Sequence, residues 1–517
     1  MVNLHIKPNT YYDSVTLMLI SRELKQLPAV KEALVGMGTQ LNKEIACNIG
    51  LASPDLENLM PNDFFVAADC GDESDWQEVL DKVQALLTAK KTSGATVYKP
   101  ATLATAAKMM PDLNMAIISV PGQYAAEVAQ DCLERDIHVM IFSDNVSMEE
   151  ERRLKEYAVS KELLMMGPDC GTAIINGVPL AFANVVSPGN IGIVGASGTG
   201  TQEVSSLIDQ FGGGITQAIG TGGRDLKEEI GGLMFSLALD ALIQDQATKV
   251  IVLISKPPSK EVQSRILTQA KEGGKPTVVC FIGGDSAAPG DFGLYGAASL
   301  EDAARKAVSL GRGETPGTFT GFDMGAEQAL ALAKAQAGKL TPIQRYLRGL
   351  YTGGTLCDEA MKLLIGDLGH IYSNIPLNPN DMLGNKDVSI AHTCLDFGDD
   401  AFTVGRPHPM IDPTLRNERI MREAQDAQTA VILSDCVIGY GAHENAAGEL
   451  AEAITEAKNA AGQEVIFVAS VCGTEGDPQS LSESRKALED AGVILFPSNA
   501  QAVRFAGLVL NERRGEV

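Results

Sequence analysis

Short apolar runs alternate with longer helical stretches along most of the chain. Each run is rich in β-branched residues, ends in a turn of small or polar residues, and precedes a segment with helical periodicity. The clearest runs are MAIISV (115–120), HVMIFS (138–143), IGIVGAS (191–197), KVIVLIS (249–255) and PTVVCFI (276–282). This alternation predicts an α/β protein whose sheets are mainly parallel and are covered by helices on both faces.

The pattern changes at two places, and these changes predict the domain organisation. Residues before TAKKTSGA (88–95) show a shorter α/β pattern of their own. Residues 311–339 have no strand pattern, and their Gly/Thr/Pro-rich opening and Ala-rich tail indicate a linker or bridging helix. Strands resume between 346 and 499, which predicts a second doubly wound unit.

Composition narrows the class of partner. The formal net charge is −24 and Lys/Arg clusters are lacking, so nucleic acids and anionic membranes are poor partners. No apolar run approaches the length of about 18 residues that a membrane span needs, and no leader-like segment follows the first residue. The nine cysteines are scattered without a CxxC pair, which is typical of reduced thiols. We therefore expect a cytoplasmic protein that acts on a small molecule.

A glycine-rich turn, GASGTG (195–200), is the first candidate site. It lies between a predicted strand and a predicted helix, where unpaired backbone N–H groups and the helix dipole favour an anion such as phosphate. Candidate phosphate-binding residues are Ser197, Gly198 and Thr199. The alternative is that glycine and serine simply allow the chain to turn.

A second turn, GTGGRDL (220–226), follows the next predicted strand. Gly222 and Gly223 free the backbone, and the Arg224 guanidinium could bind a phosphate or carboxylate in a bidentate manner. The alternative is that Asp225 caps the following helix and pairs with Arg224.

The segment CLDFGDDAFTVGRPHPMIDP (394–413) gathers acidic, basic and imidazole groups between prolines. Its oxygen ligands could bind Mg²⁺, or the segment could be a rigid loop with internal salt bridges. The candidate metal ligands are Asp396, Asp399 and Asp400, and the candidate catalytic residues are Arg406 and His408.

A later turn, VIGYGAHEN (437–445), repeats the strand, glycine turn and helix order. Gly439 and Gly441 are further phosphate-binding candidates, and His443, expected in the first turn of the following helix, is a candidate acid or base. Ordinary helix capping is the alternative.

These motifs resemble the subunits of succinyl-CoA synthetase. AIISVPGQYAAEVAQ, MGPDCGTAI, IGIVGASGTGTQEV and IGTGGRDL, between about 114 and 308, are similar to its α-subunit. CLDFGDD and VILSDCVIGYGA are similar to the carboxyl domain of its β-subunit. A chain that joins both parts without an ATP-grasp domain resembles the FdrA family of acyl-CoA synthetase-like proteins.

The resemblance implies five segments. They are an N-terminal α/β domain (1–97), a Rossmann-like CoA-binding-type domain (98–188), a flavodoxin-like α-subunit domain (189–312), a linker (313–344) and a β-subunit-like carboxyl domain (345–517).

Two departures from that family bear on mechanism. Tyr295 occupies the position where the synthetases carry phosphate on a histidine, and Lys256 lies where a glutamate should orient that histidine. The CoA loop of the family has only a weak counterpart at 35–44. Phosphate transfer through a phosphohistidine is therefore not expected.

The resemblance implies that two helix N-termini, at Ser197–Gly200 and Gly439–Gly441, remain as a phosphate cradle. Some FdrA relatives act as one subunit of an oxamate carbamoyltransferase in ureide breakdown, and carbamoyl phosphate would suit such a cradle. We expect phosphate, carbamoyl phosphate or CoA as ligand, further subunits, and a homo-oligomer as one option. The alternatives are a genuine CoA ligase and a non-catalytic scaffold subunit.

Overall fold

The computed structural model describes residues 2–10, 12, 14–89, 100, 102–403 and 406–514. The chain divides into two units, 1–101 with 400–408 and 102–399 with 409–517. Across the described residues, every helix is too short or too polar to cross a bilayer.

The first unit is built on an antiparallel sheet in the order β1-β3-β2, buried on both faces. Helices α1 and α4 pack on one face, and α2 and α3 pack on the other. The elements are β1 (Val2–Lys7), α1 (Ser14–Lys25), β2 (Val30–Met37), α2 (Gln40–Asn48), α3 (Pro54–Glu57), β3 (Phe64–Cys70) and α4 (Glu73–Ala89).

The second unit opens with a small parallel sheet in the order β4-β5-β6. Its core is the apolar side of α6 and α7 against the strands, and Ser147 caps α7 by accepting a hydrogen bond from the Glu150 amide. The elements are α5 (Leu103–Met109), β4 (Met115–Ile118), α6 (Gly122–Glu134), β5 (His138–Ile141), α7 (Met148–Ser160) and β6 (Met165–Met166).

A seven-stranded sheet follows, in the order β13-β12-β11-β9-β10-β7-β8. Strands β9 to β13 are parallel, and β7 and β8 add an antiparallel edge. The elements are β7 (Thr172–Ile175), β8 (Val178–Ala181), β9 (Pro188–Gly195), α8 (Gly198–Gln210), β10 (Ile215–Gly220), α9 (Leu233–Gln244), β11 (Val250–Ser255), α10 (Lys260–Glu272), β12 (Thr277–Phe281), β13 (Tyr295–Gly296) and α11 (Leu300–Gly311).

A helix, α12 (Ala326–Ala337), connects this sheet to a five-stranded parallel sheet in the order β15-β14-β16-β17-β18. The elements are β14 (Tyr346–Tyr351), α13 (Gly354–Leu368), β15 (Thr393–Asp396), α14 (Asp400–Thr403), α15 (Thr414–Ala424), β16 (Thr429–Val437), α16 (Ala446–Ala461), β17 (Ile466–Cys472), α17 (Leu481–Asp490), β18 (Ile494–Phe496) and α18 (Asn499–Arg514). Helix α14 belongs to the segment that groups with the first unit.

The two large sheets share one strand order. Counted from its first parallel strand, each sheet runs second, first, third, fourth, fifth, which is the flavodoxin-like order. In this order the chain changes direction between the first and third strands, at β9/β11 in one sheet and at β14/β16 in the other. The predicted α/β class with doubly wound parallel sheets is thus confirmed.

One continuous core joins the two large sheets, with α8 and α11 on one side and α13 and α18 on the other. Three buried glutamates from these helices, Glu203, Glu301 and Glu359, lie inside it. Asn499 at the start of α18 links two of them: its amide donates to Glu203 Oε1 (3.1 Å), and its side chain donates to Glu359 Oε2 (2.8 Å). Burial raises the pKa of Glu203 to about 8.

We expect Glu203→Gln to change the pH dependence of stability. A carboxyl whose pKa is raised on folding stabilises the native state below its unfolded pKa, and this stabilisation is lost as the pH rises through the folded value. The wild type should therefore lose stability relative to the variant between about pH 4.5 and 8, by at most about 1.4 kcal/mol per pH unit.

Urea unfolding of both proteins at several pH values measures this difference, with the exposed Glu456→Gln as control. A constant difference between Glu203→Gln and wild type across this range would contradict the expectation.

Candidate anion-binding site

The first wall of the site is the start of α8, directly after β9. Ser197 is the N-cap: its Oγ accepts a hydrogen bond from the Gly200 amide (3.1 Å), and its carbonyl accepts one from the Thr201 hydroxyl (2.7 Å). Within the described chain, the amides of Gly198 and Thr199 donate to no protein acceptor. Two N–H groups at the positive end of α8 thus remain for a ligand.

The second wall is the start of α13, directly after β14. The buried carboxylate of Asp435, on β16, accepts hydrogen bonds from the amides of Thr352 and Gly353 (both 2.8 Å). The following amides, of Gly354 and Thr355, have no acceptor among the residues that the structure describes. Asp435 therefore fixes the turn, and the helix start itself stays open.

The two helix starts meet. Ser197 Oγ and Thr355 Oγ1 are 2.6 Å apart and share a hydrogen bond. A Cβ atom on Gly353 would lie 2.9 Å from Thr199 Cγ2, so only glycine allows this approach without a shift. Each helix starts where the strand order of its sheet reverses, at β9/β11 for α8 and at β14/β16 for α13. This is the usual ligand position in such sheets. Two positive helix ends that face each other favour an anion between them.

A lysine and two aspartates border these helix starts. Lys256, directly after β11, pairs with Asp358 on α13 (2.6 Å between Nζ and Oδ2). Partial desolvation would lower the pKa of Lys256, but the charge and hydrogen bond of Asp358 and the charge of Asp396 outweigh it and raise the pKa, so the amine stays charged. Asp396 ends β15 and is 8% exposed, and its Oδ1 accepts a hydrogen bond from the Gly398 amide (2.8 Å).

Gly222, Gly223 and Arg224 lie in the turn after β10, next to β9 in the sheet. Gly222 takes a positive φ of 88° and packs against Pro168. The Arg224 guanidinium is engaged by the protein: it pairs with the buried Glu151 (2.8 Å) and donates to the Val146 carbonyl (2.9 Å). Asp225 accepts hydrogen bonds from the first turn of α9, as the capping alternative expects, but its ion-pair partner is Lys155 (2.7 Å) and not the Arg224 of that alternative.

Gly439 and Gly441 lie in the turn after β16 and contact the 181–184 segment. The Gly439 amide donates to Gln479 (3.0 Å), so it is already satisfied by the protein. His443 follows this turn; its Nδ1 accepts a hydrogen bond from the Asn445 amide (3.1 Å), and its ring borders a small cavity. The helix start that contacts Ser197 is that of α13, whereas the sequence pointed to the turn at Gly439–Gly441.

The remaining candidates belong to other parts of the chain. Asp400, Arg406 and His408 group with the first unit. Arg406 is exposed, and burial lowers the pKa of His408 to about 4. Tyr295, at the position of the absent histidine, is 38% exposed on the edge strand β13.

The aspartates do not form a metal cage. No group of three His, Cys, Asp or Glu side chains able to hold an ion occurs in the described part of the chain.

The residues that sequence reasoning missed are those on the second helix start. The predicted strand stretch YLRGLYTGG (346–354) includes Gly353 and Gly354, Thr355 is not among the candidates, and Lys256 is noted only as a replacement for a glutamate. A usable signal was present, because a pair of glycines directly after a buried apolar strand marks a helix start in YTGGT (351–355).

Three family models match this chain. The CoA-ligase model matches residues 350–509, the CoA binding domain model matches 186–283, and a model described as "AllF, heavy metal-associated domain" matches 1–102. The first two models therefore cover the two helix starts of the site.

The described residues of the first unit do not fit a heavy metal. Its cysteines are Cys47, exposed on α2, and Cys70, buried at the end of β3 beside Asn3. The described part of this unit also lacks a group of three His, Cys, Asp or Glu side chains that could hold a metal ion.

Two of the solved structures that resemble this chain do so with low TM-scores. PH0766 from Pyrococcus horikoshii OT3 is 16% identical with a TM-score of 0.33, covering 82% of this chain and 88% of its own. ATP citrate lyase from Methanothrix soehngenii, in complex with citrate and coenzyme A, is 14% identical with a TM-score of 0.35, covering 80% and 85%.

Curated relatives fall into two groups. The succinate–CoA ligase α-subunit of Methanothermobacter thermautotrophicus is 28% identical over 182 residues. The aligned region covers 35% of this chain and 60% of that subunit. The uncharacterized protein YahF of Escherichia coli K12 is 46% identical over 501 residues, 96% of each chain. The chain therefore belongs to the YahF family, and it contains regions that match the CoA-ligase and CoA binding domain models.

Proposed function

We propose that this protein is an enzyme subunit that transfers an acyl or carbamoyl group to or from phosphate. The observation that carries the proposal is the meeting of α8 and α13 at the Ser197–Thr355 hydrogen bond. Four backbone amides there, of Gly198, Thr199, Gly354 and Thr355, are available to the oxygens of one phosphoryl group. The resemblance to FdrA proteins suggests oxamate carbamoyl transfer as the reaction.

The chemistry needs no phosphorylated side chain. Phosphate held between the helix starts would attack a carbonyl carbon, and the reverse reaction would use carbamoyl phosphate. Tyr295 in place of the histidine and Lys256 in place of the glutamate support this direct route. Lys256 adds a positive charge beside the helix starts, where charge on the phosphoryl group changes during transfer.

Further catalytic and phosphate-binding candidates in the proposal come from the sequence alone. Arg406, His408 and His443 stay candidates for stabilising or protonating the acceptor, and Gly222, Gly223, Gly439 and Gly441 stay candidates for further phosphate contacts. Partner subunits would complete the site for the acceptor.

A second candidate is an acyl-CoA ligase of the nucleoside-diphosphate-forming type. The matches to the CoA-ligase and CoA binding domain models favour it. The two candidates differ in ligand: the first requires phosphate or carbamoyl phosphate, and the second requires CoA.

We expect phosphate and carbamoyl phosphate to raise the thermal midpoint of the purified protein in a concentration-dependent manner, because a ligand that binds only the native state stabilises it. Sulfate at equal ionic strength controls for non-specific anion effects. Stabilisation by CoA or acetyl-CoA alone would overturn the proposal in favour of the ligase.

We expect Gly354→Ala to impair phosphate binding. A Cβ on Gly354 would overlap Asp396 Oδ2, so either the carboxylate or the first turn of α13 must move. We predict about tenfold weaker phosphate binding, equal to about 1.4 kcal/mol, by calorimetry.

Gly366→Ala on the same helix is the matched control, since its Cβ would meet no atom within 4 Å. It should raise stability by up to about 1 kcal/mol through helix propensity and leave binding unchanged. Equal phosphate affinity in both variants would contradict the assigned position of the anion.

A further inference from the structure

Three charged side chains from separate elements converge beside the start of α13. Lys256 follows β11, Asp358 lies on α13 and Asp396 ends β15. The pair Lys256–Asp358 is asymmetric: the Asp358 side chain is 8% exposed, whereas 55% of the Lys256 side chain is exposed. The Lys256 side chain is therefore accessible to a ligand, and the buried Asp358 carboxylate holds its amine in position.

Asp396 is held in one position by its own backbone. Its amide donates to Asn374 Oδ1, and its carbonyl accepts from Asn374 Nδ2 (both 3.0 Å). Its Oδ1 is satisfied by the Gly398 amide. Its Oδ2 accepts no hydrogen bond from any residue that the structure describes, and it lies against the Cα of Gly354, the first residue of α13.

Asp396 is 8% exposed as a residue, and the Gly398 amide binds only its Oδ1, so Oδ2 is available to contact a bound molecule. The absence of a side chain at Gly354 gives this oxygen access to the space in front of α13. That space is where the proposed function places the phosphoryl group and the carbonyl under attack.

Burial, modified by the neighbouring groups, brings the pKa of Asp396 close to neutrality. Burial raises the pKa of Asp396 to about 7. The Gly398 amide and Lys256 act in the opposite direction, and the carboxylates of Asp399 and Asp358 add to the increase. A group with such a pKa can both accept and return a proton at neutral pH.

We propose that Asp396 is the general base and acid of the transfer reaction, and that Lys256, anchored by Asp358, is the positioning cation for the phosphoryl group. The inference rests on the proposed function and names the proton acceptor. In the oxamate carbamoyl transfer that the resemblance suggests, the nucleophile is the amide nitrogen, which carries a proton.

The step balances as follows. The nitrogen lone pair attacks the carbonyl carbon of the carbamoyl or acyl phosphate, and its proton passes to Asp396 Oδ2. The tetrahedral intermediate collapses with cleavage of the bond between the carbonyl carbon and the phosphate oxygen. Phosphate leaves with that electron pair and takes the proton from Asp396. In the reverse direction phosphate attacks, and Asp396 protonates the leaving nitrogen.

Asp396→Asn separates binding from proton transfer. We expect phosphate and carbamoyl phosphate to bind within about twofold of wild type, because the helix starts are unchanged. The rate of transfer, measured in the complex with its partner subunits, should fall about 100-fold or more, and the acidic limb of the pH–rate profile should disappear. Asp490→Asn, at the exposed end of α17, is the control.

Lys256→Met tests the positioning role. Removing the positive charge should shift the acidic limb to higher pH and raise the KM for phosphate, and Lys256→Arg should restore both in part. Lys260→Met, four residues further on α10 and exposed, should change neither.

A direct measurement keeps the inference testable without turnover. Infrared difference spectra of the free protein should show a carboxyl that titrates near pH 7, is absent in Asp396→Asn and is shifted upward in Lys256→Met. If wild type binds neither phosphate nor carbamoyl phosphate, the proposed function fails and this role fails with it. If wild type binds and reacts but Asp396→Asn has an unchanged rate and pH profile, only the role of Asp396 is overturned.

Discussion

Two helices that begin within hydrogen-bonding distance of each other impose the main electrostatic constraint on this protein. The positive ends of α8 and α13 are brought together by the contact between Ser197 and Thr355 (2.6 Å), although like charges repel at short range. The Asp435 carboxylate offsets part of this repulsion, because it accepts hydrogen bonds from the two amides that precede α13. The amides that remain open make an anion the natural complement of the site.

The repeated strand order explains how such a contact arises. Each large sheet changes direction between its first and third strands, and each therefore opens a crevice at the ends of those strands. Because one continuous core joins the two sheets, the two crevices meet instead of facing solvent separately. Lys256 at the end of β11 and Asp396 at the end of β15 reach the same place for the same reason.

Local patterns were enough to predict part of this arrangement. The alternation of apolar runs and helices indicated the α/β class, and the turn before α8 was found because its sequence is typical of a strand end followed by a helix start. The partner of that turn was not found, since Ser197 and Thr355 are 158 positions apart and only the packing of two sheets joins them. The ion pair of Lys256 with Asp358 is long-range in the same way. The sequence treats 394–413 as one candidate segment, either a binding site or a rigid loop, but residues 400–408 group with the first unit and the rest with the second.

The most direct test of the central claim is a crystal structure determined with phosphate, or with tungstate, whose anomalous signal marks the position of an oxyanion. The account predicts one anion between α8 and α13, bonded to the amides of Gly198, Thr199, Gly354 and Thr355 and close to Lys256. An anion bound instead at Gly222–Arg224 or at Gly439–Gly441, with the space between the two helix starts empty, would contradict it.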